Sequence, residues 1–587
     1  METTSFYGKH RGSHSDDPDD VAAENDSGDN ADFSSETHSD SSSYAPSDSE
    51  SGCDDDPGDD EGSGDDSSSE DDNDIVDSWN PTRATTRLFS FTGNEHLAVQ
   101  PIPSETDGTA SPFDVYKLFV TEDVMSHIVD ETNRYANQVL QSQTVTRKSL
   151  LSEWRPTNKD EMSKFFGIII SMGIVNMPSM ECYWSKKQIY AYDFVRKNIS
   201  RNRFFLLLRM LHFNDNETFD KHRRLHKIEP ILEMLRNNFK SVYSPGEKLV
   251  VDESLVPFRG RIYFRQYIPG KSHKYGIKLY KICTVNGYTW DLQVYTGNLS
   301  NEPEHNHSES MVLKLTKPLL KKGAIIYADN FYTSVPLAEK LLQEKTYYCG
   351  TVRKNRKLLP QDVMAAKLKK GDVIGKMNSK GVKVCHWKDK RDVYTLSTCP
   401  EHDAQLAPTG KKNRKGEEVM KPPSIIDYNV AKIGVDKSDQ MTCYNSVLRK
   451  SSKWYRKLAI ELLLGTSVVN AWVIYNKFCL QRRKQMSILE FKESVVMSLI
   501  SGISKKLSPG PDRSLISGKC IGHELIEADG PKSKVRKRCR SCYDLIANAE
   551  GSKAARSKAR RVVTFCNTCE DKPHLCVSCF NLRHSSY

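Results

Sequence analysis

Two short apolar runs limit most strongly what this chain can fold into: KLVV at 248–251 and AIIYA at 324–328, each closed by an acid, Asp252 and Asp329. Runs of four or five apolar residues between polar ones read as strands buried on both faces. Between them come RIYFRQYI, a further strand, and then IKLYKICTV and YTWDLQVYTG on either side of Asn286-Gly287, a two-residue hairpin signal. SMVLKLTKPLLKK follows with helical spacing, and after the second run come VPLAEKLLQEK, again helical, and the strand YYCGTVRKN. A strand reached through a helical crossover lies parallel to its partner. If the runs at 248 and 324 are neighbours, their C-terminal ends come level and Asp252 meets Asp329. Carboxylates held together repel unless one is protonated or a cation bridges them, and Mg²⁺ suits a site built from a few carboxylates.

A third acid would fix such an ion, and DYNVAKIGVDKSDQMTCYN supplies Asp436 and Asp439, three apart and so on one face of a helix. The Lys-rich interval 357–420, with short strands such as GVKVCHWKDK and DVYTLSTC, reads as an insertion. Residues 111–240 repeat apolar positions every three or four residues, as a helical bundle does.

The ends of the chain differ from this middle. Residues 1–80 hold 26 acids against Lys9 and Arg11, so the net charge of +9 leaves +33 on residues 81–587. An Asp/Ser/Gly segment with almost no aliphatic residues buries too little to offset its ordering entropy, whereas the basic body has the charge of a polyanion binder. Serines ahead of acids (SDSESGCDDD, SSSEDDND) stand where acid-directed kinases act, and added phosphate would let the tail compete for the basic body. The start has no apolar signal core. LAIELLLGTSVVNAWVIY at 458–475 contains Glu461 and Asn470 and falls short of the ~20 apolar residues of a membrane span. No membrane association is expected, and residence in the nucleus or cytosol follows.

Of fifteen cysteines, six lie between 539 and 579 as three CxxC pairs, Cys539/Cys542, Cys566/Cys569 and Cys576/Cys579, accompanied by His574 and His584. Each pair supplies two thiolates to a tetrahedral ion, so eight ligands make two structural zinc sites. Interleaved as in RING- and PHD-type modules, one site would take Cys539, Cys542, His574 and Cys576, the other Cys566, Cys569, Cys579 and His584. A module of ~50 residues has too small a core to fold without such staples.

VVDESLVPFRGR, YADNFYTS, GTVRKNR, DYN…GVDKSDQ and KWYRKL, in that order over residues 110–480, resemble the piggyBac transposase family. The resemblance implies an α/β, ribonuclease-H-like core interrupted by an insertion, which cuts and rejoins double-stranded DNA at TTAA sites with two Mg²⁺ or Mn²⁺ ions. The family's catalytic and metal-binding acids fall on Asp252, Asp329, Asp436 and Asp439. Its aromatic near the active site falls on Trp454, which Lys453, Arg456 and Lys457 flank; Arg353, Lys354 and Arg356 form a basic loop suited to a phosphate track. The family's cysteine-rich domain grips terminal DNA, its members commonly act as homodimers, and the basic runs KSKVRKRCR and SKAARSKARR also fit nuclear localisation.

The expected plan is an acidic tail (1–82), a helical DNA-binding or dimerisation domain (83–247 and 446–515), and a core (248–356 and 421–445) split by an insertion (357–420). A basic linker (516–537) and the zinc module (538–587) complete it. His305 and His307 in EPEHNHSE are read as loop residues because of Pro303 and Asn306. GDVIGKM at 371–377 is one residue short of a phosphate loop and no G-x-S-x-G occurs, so neither a nucleotide cofactor nor serine chemistry is expected. Two rivals to an active transposase stand at this point: a host-adopted DNA or chromatin binder without cleavage, and a zinc-module adaptor or ubiquitin ligase, which leaves the strand-borne acids unexplained.

Overall fold

A computed structural model describes residues 78–103, 109–142, 146, 149–218, 220, 222–271, 273–297, 304–449, 452–480, 484–501, 519–520 and 523–584. Most of the acidic tail with its serines, and residues 502–518 at the end of the expected helical domain and the start of the expected linker, lie outside them. The chain divides into two units, Met1–Ile503 and Ser504–Tyr587.

The first unit is a mixed sheet with helices. Its strands are β1 (Lys248–Pro257), β2 (Arg265–Tyr267), β3 (Tyr275–Thr284), β4 (Thr289–Val294), β5 (Ile325–Ala328), β6 (Tyr347–Thr351), β7 (Val373–Met377), β8 (Lys383–Lys388) and β9 (Asp392–Ser397). Along the sheet the order is β7-β8-β9-β6-β5-β1-β3-β2, with β4 also paired to β3 and Asn80–Pro81 paired to β7. The two apolar runs are neighbours and parallel, Lys248 opposite Ile325 and Val251 opposite Ala328. The central order β4-β3-β1-β5-β6 has β3 antiparallel and β5 and β6 parallel to their neighbours. The β3–β4 hairpin turns at Gly287 with φ +94, a backbone region that suits glycine.

The helices used below are α1 (Glu122–Ser142), α2 (Lys159–Ile174), α3 (Glu229–Val242), α4 (Glu304–Thr316), α5 (Val335–Gln343), α6 (Pro423–Ala431), α7 (Ile433–Cys443), α8 (Trp454–Cys479) and α9 (Ile488–Ser501). α4 and α5 are the crossovers into β5 and β6. α5 begins at an N-cap, Ser334, whose side chain accepts the Leu337 N–H, with proline in the first turn. α1, α2, α3, α8 and α9 share one apolar core with the sheet, including Phe165, Phe239, Leu292 and Leu463. α8 is long and apolar enough to cross a membrane, yet 94% of its apolar stretch is buried inside the protein, which marks it as a core helix.

Four expectations change. The interval 357–420 does not stand wholly apart: β9 pairs with β6, so β7, β8 and β9 continue the core sheet, while Ala407–Lys412 and Glu418–Lys421 pair with each other. RIYFRQYI contributes only three residues of strand, β2. From Glu304 onward EPEHNHSE is helical, as the start of α4, and the His307 ring packs between Tyr280 and Tyr295. The expected tail, 1–82, takes in the strand Asn80–Pro81, which pairs with β7 of the core sheet.

The second unit pairs the strand His523–Glu527 antiparallel with Thr564–Cys566 and adds helices Arg540–Glu550, Ser552–Lys558 and Val577–His584. Its apolar core is mostly Leu525, Leu575, Phe580 and cysteines.

α7 lies against β1 and β3 at a glycine. A Cβ on Gly434 would stand 2.6 Å from the Thr284 carbonyl oxygen and from Val250 Cγ1. Gly434→Ala is expected to lift α7 and to cost about 1–3 kcal/mol in chemical denaturation, as overpacking of a filled core does; an unchanged midpoint would contradict this packing.

Candidate functional site

The parallel register carries the first two acids. Val251 and Ala328 are the last paired residues of β1 and β5, and Asp252 and Asp329 are the next residue of each run. Asp329 opens a fixed turn: its Oδ1 accepts the Phe331 N–H at 2.9 Å and its carbonyl accepts the Thr333 hydroxyl at 2.7 Å. Asp252 Oδ1 accepts the Glu253 N–H at 2.8 Å. α7 brings Asp436 and Asp439 over the same place, Asp439 Oδ1 accepting the Ser254 hydroxyl at 2.8 Å.

The electrostatics show that these groups act on one another. Removal from water, then the charges of Glu253 and Asp329, push the Asp252 carboxyl well above the ordinary carboxylate range. Burial, reinforced by Glu253, pushes Asp329 up to about 6 against the pull of the Phe331 N–H and Arg353. Burial raises Asp436 too, opposed by Lys271. Without a divalent ion the cluster is a place where negative charge is costly.

Two lysines that sequence reading overlooked answer part of that charge. Lys281 stands directly across from Asp252 on β3 and is 1% exposed; its Nζ lies 2.8 Å from Asp439 Oδ1. Lys271 donates to the Glu253 carbonyl at 3.2 Å; burial disfavours its ammonium, but Asp252, Asp439, Glu253 and Asp436 together outweigh that and raise its pKa. The signal for Lys281 was in the register, since every second residue of β3 faces the same side as Asp252. Below them, burial in a π-helical turn of α8 pushes Glu461 up to about 7, next to Lys281, Asp439 and Lys492.

The acids are hard oxygen donors, which fits Mg²⁺ or Mn²⁺. Among the described residues, the sets whose metal-binding atoms all lie within 4.8 Å of one another are in the second unit, so the acids form the more open cluster. An open arrangement suits a hard ion that keeps water and substrate oxygens among its ligands.

Those two closed sets in the second unit are Cys539, Cys542, Cys576 and Cys579, and His523, Cys566, Cys569 and His584. Cys542 Sγ lies 3.5 Å from Cys579 Sγ and 3.8 Å from Cys576 Sγ, near the ~3.8 Å edge of a tetrahedron with Zn–S bonds of ~2.3 Å. His523 Nδ1 is 3.5 Å from both Cys566 and Cys569 Sγ, and His584 Nε2 is 3.2 Å from Cys569 Sγ. The His584 Nδ1–H donates to the Phe580 carbonyl at 2.8 Å, leaving Nε2 with its lone pair for a metal. The donor sets fit zinc and interleave along the chain.

This corrects the expected ligands. Cys576 and Cys579 stay together on one ion with Cys539 and Cys542, and His574 lies outside both sets because residues 573–575 run against Thr564–Cys566, with the His574 ring on Phe565. His523, 16 residues before the first CxxC pair, takes the vacated role. It falls in the stretch expected to be a basic linker, so the zinc module starts earlier than 538.

A family model described as Transposase IS4 matches residues 111–472, well over half of the chain. The chain belongs to the piggyBac transposase family. It is 27% identical over 488 residues to human PiggyBac transposable element-derived protein 3, covering 78% of each chain. To human PiggyBac transposable element-derived protein 2 it is 26% identical over 448 residues, covering 74% of this chain and 72% of the relative. Among solved structures it resembles the cryo-EM structure of a piggyBac transposase synaptic complex with hairpin DNA, at a TM-score of 0.58 and 27% identity, covering 74% of this chain and 94% of that one.

In this piggyBac-family fold the remaining candidates separate. Trp454 is half-buried at the start of α8, its ring edge-on to Phe264 at 5.4 Å, with an exposed Lys453 before it. Arg456 is not available as a surface cation: it is 9% exposed and its Nε donates to the Leu211 carbonyl at 2.9 Å, because its place in the first turn of α8 points it into the helical core. Lys457 is half-buried. The basic loop after β6 lies beside the acids, Arg353 Nε donating to Asn330 Oδ1 at 3.1 Å and Arg356 Nη2 to the Phe331 carbonyl at 2.7 Å, while Lys354 is exposed. Arg353 and Arg356 therefore brace the turn that holds Asp329.

Two measurements check these sites. Zinc assayed by plasma mass spectrometry is expected at two ions per chain in wild type and in His574→Ala, and at about one in His523→Ala; full zinc in His523→Ala would contradict the second set. Asp329 holds its proton to about pH 6 in the fold but only to ~4 when unfolded, so its contribution to stability is complete below pH ~4 and lost as the pH rises through about 6. Without Mg²⁺ the melting temperature of wild type should fall over that interval relative to Asp329→Asn, and Mg²⁺ should raise it more at pH 7.5 than at pH 5. Equal Mg²⁺ effects on wild type and Asp329→Asn would exclude Asp329 as a ligand.

Proposed function

We propose that this chain is a DNA transposase of the piggyBac type, acting in the nucleus as a homodimer on double-stranded DNA and cutting and rejoining it at TTAA sites. The observation that carries the reading is the register at Val251 and Ala328, which puts Asp252 beside Asp329, with Lys271 feeling the charges of both Asp252 and Asp436. The strand order β4-β3-β1-β5-β6, with one antiparallel neighbour to β1 and one parallel, supports a ribonuclease-H-like core. Asp252, Asp329 and Asp436 would hold the divalent ions. Bound Mg²⁺ or Mn²⁺ supplies charge to stabilise phosphoryl transfer and lowers the pKa of an attacking water or hydroxyl.

The chain's own residues do the positioning. Asp252 and Asp329 are held by backbone N–H groups, so their oxygens are set before substrate arrives. Asp439, with Lys281 and Ser254 on one oxygen, ties α7 to β1 and β3 and thereby places Asp436. Arg353, beside Asp329, and the exposed Lys354 and Lys453 would serve as cations for DNA phosphates. Trp454 would stack on an unpaired base, a contact worth about 1–3 kcal/mol. The two zinc sets would shape a module that grips DNA ends.

A second reading, a host-adopted DNA binder that does not cut, draws support from the human relatives' own description as transposable element-derived. The two separate in one assay. Incubated with a TTAA-flanked element and Mn²⁺, wild type is expected to release the element, and Asp252→Ala or Asp329→Ala to lose at least about a hundredfold in rate. Trp454→Ala should nick normally but resolve hairpins slowly. DNA binding without cut ends in wild type would favour the second reading, and full activity in Asp252→Ala would remove the acids from the chemistry.

A further inference from the structure

The acids and the zinc sets leave one aromatic surface of the first unit unused. β2 ends the sheet, and on and beside it Tyr263, Tyr267 and Tyr275 are 80%, 53% and 44% exposed. Tyr267 and Tyr275 face each other across β2 and β3 with ring centroids 4.8 Å apart. The Arg265 guanidinium lies 5.2 Å from the Tyr275 ring and the Arg224 guanidinium 4.2 Å from the Tyr263 ring. Such contacts hold a ring in place and leave its other face open.

Charge and position say what would cover these rings. Residues 258–275 contain Arg259, Arg261, Arg265, Lys271 and Lys274 and no Asp or Glu. A second copy presenting the same patch would bring like charges together, which is costly at an interface. A polyanion with flat apolar faces satisfies both the cations and the rings, and single-stranded nucleic acid is that ligand. The patch continues from the proposed site of base stacking: Phe264, next to Tyr263, is buried against Trp454. It also follows from the acids along one strand, since Gly276 pairs with Pro257, five residues past Asp252 on β1 or about 17 Å.

We propose that Tyr263, Tyr267 and Tyr275, set by Arg224 and Arg265, are a stacking platform for the unpaired bases of a DNA strand leading away from the acid cluster. This rests on the proposed handling of DNA, and does not require that the chain cut it. Rings without a base-specific donor or acceptor pattern hold any sequence, so the platform would bind by strandedness.

The test uses the full chain without Mg²⁺ and three fluorescent probes: a blunt duplex, the same duplex with an eight-nucleotide dT tail, and the same duplex with an abasic tail of equal length. Wild type is expected to bind the dT tail at least about tenfold more tightly than the abasic tail, whose phosphates are the same. Tyr263→Thr/Tyr267→Thr/Tyr275→Thr should lose that preference and keep its affinity for blunt duplex, while the triple Tyr→Phe variant keeps both. Should the triple threonine variant fail to fold, Tyr263→Thr alone, at the most exposed position, should reduce the preference. No preference in wild type, or a preference undiminished in the threonine variants, overturns the platform while leaving DNA binding intact. Loss of dimer mass with the preference retained would assign the patch to a second copy and overturn it equally. Failure of wild type to bind any of the three probes would instead remove the proposed function itself.

Discussion

The structure depends on two carboxylates being held where they repel. Parallel pairing of β1 and β5 ends with Val251 opposite Ala328, and the next residue on each run is an acid. A slip of one residue would turn Asp252 to the opposite face of the sheet, so the apolar residues before it enforce the position of the charge. Leu249, Val250 and Val251 are almost wholly buried, and their burial offsets the cost of the acid that follows them. The raised pKa of Asp252 and Asp329 records that cost in the absence of a divalent ion.

The rest of the first unit limits how that cost can be relieved. Lys281 and Ser254 occupy one oxygen of Asp439, and Arg353 and Arg356 brace the turn after Asp329. The acids cannot swing apart without breaking these contacts, which leaves a bound cation as the cheaper answer. The second unit applies the same logic to soft donors. Its cysteines and histidines converge in two closed sets around a core of few apolar side chains, an arrangement in which binding of a metal would be coupled to folding.

The parts of this arrangement that were legible in the sequence are those fixed by local pattern. The apolar runs, the Asn286-Gly287 hairpin and the crossover helices followed from periodicity and turn chemistry, and they sufficed to bring Asp252 and Asp329 together. What was not legible depends on contacts distant in sequence. β9 joins β6 over more than forty residues, so part of the interval that looked like an insertion extends the sheet. Arg456 looks like a surface cation in a basic run, but the helix phase turns it to the Leu211 carbonyl. His523 carries no CxxC neighbour, and strand pairing with Thr564–Cys566 is what brings it to the thiolates, whereas His574 beside Cys576 packs on Phe565.

The most direct test of the central claim is to locate a divalent ion among the acids. Crystals of the full chain grown with Mn²⁺, measured at the manganese absorption edge, are predicted to show anomalous density within about 2.5 Å of carboxylate oxygens of both Asp252 and Asp329. That density should vanish in Asp252→Asn. Well-ordered acids with no manganese beside them, or manganese retained in Asp252→Asn, would contradict the account.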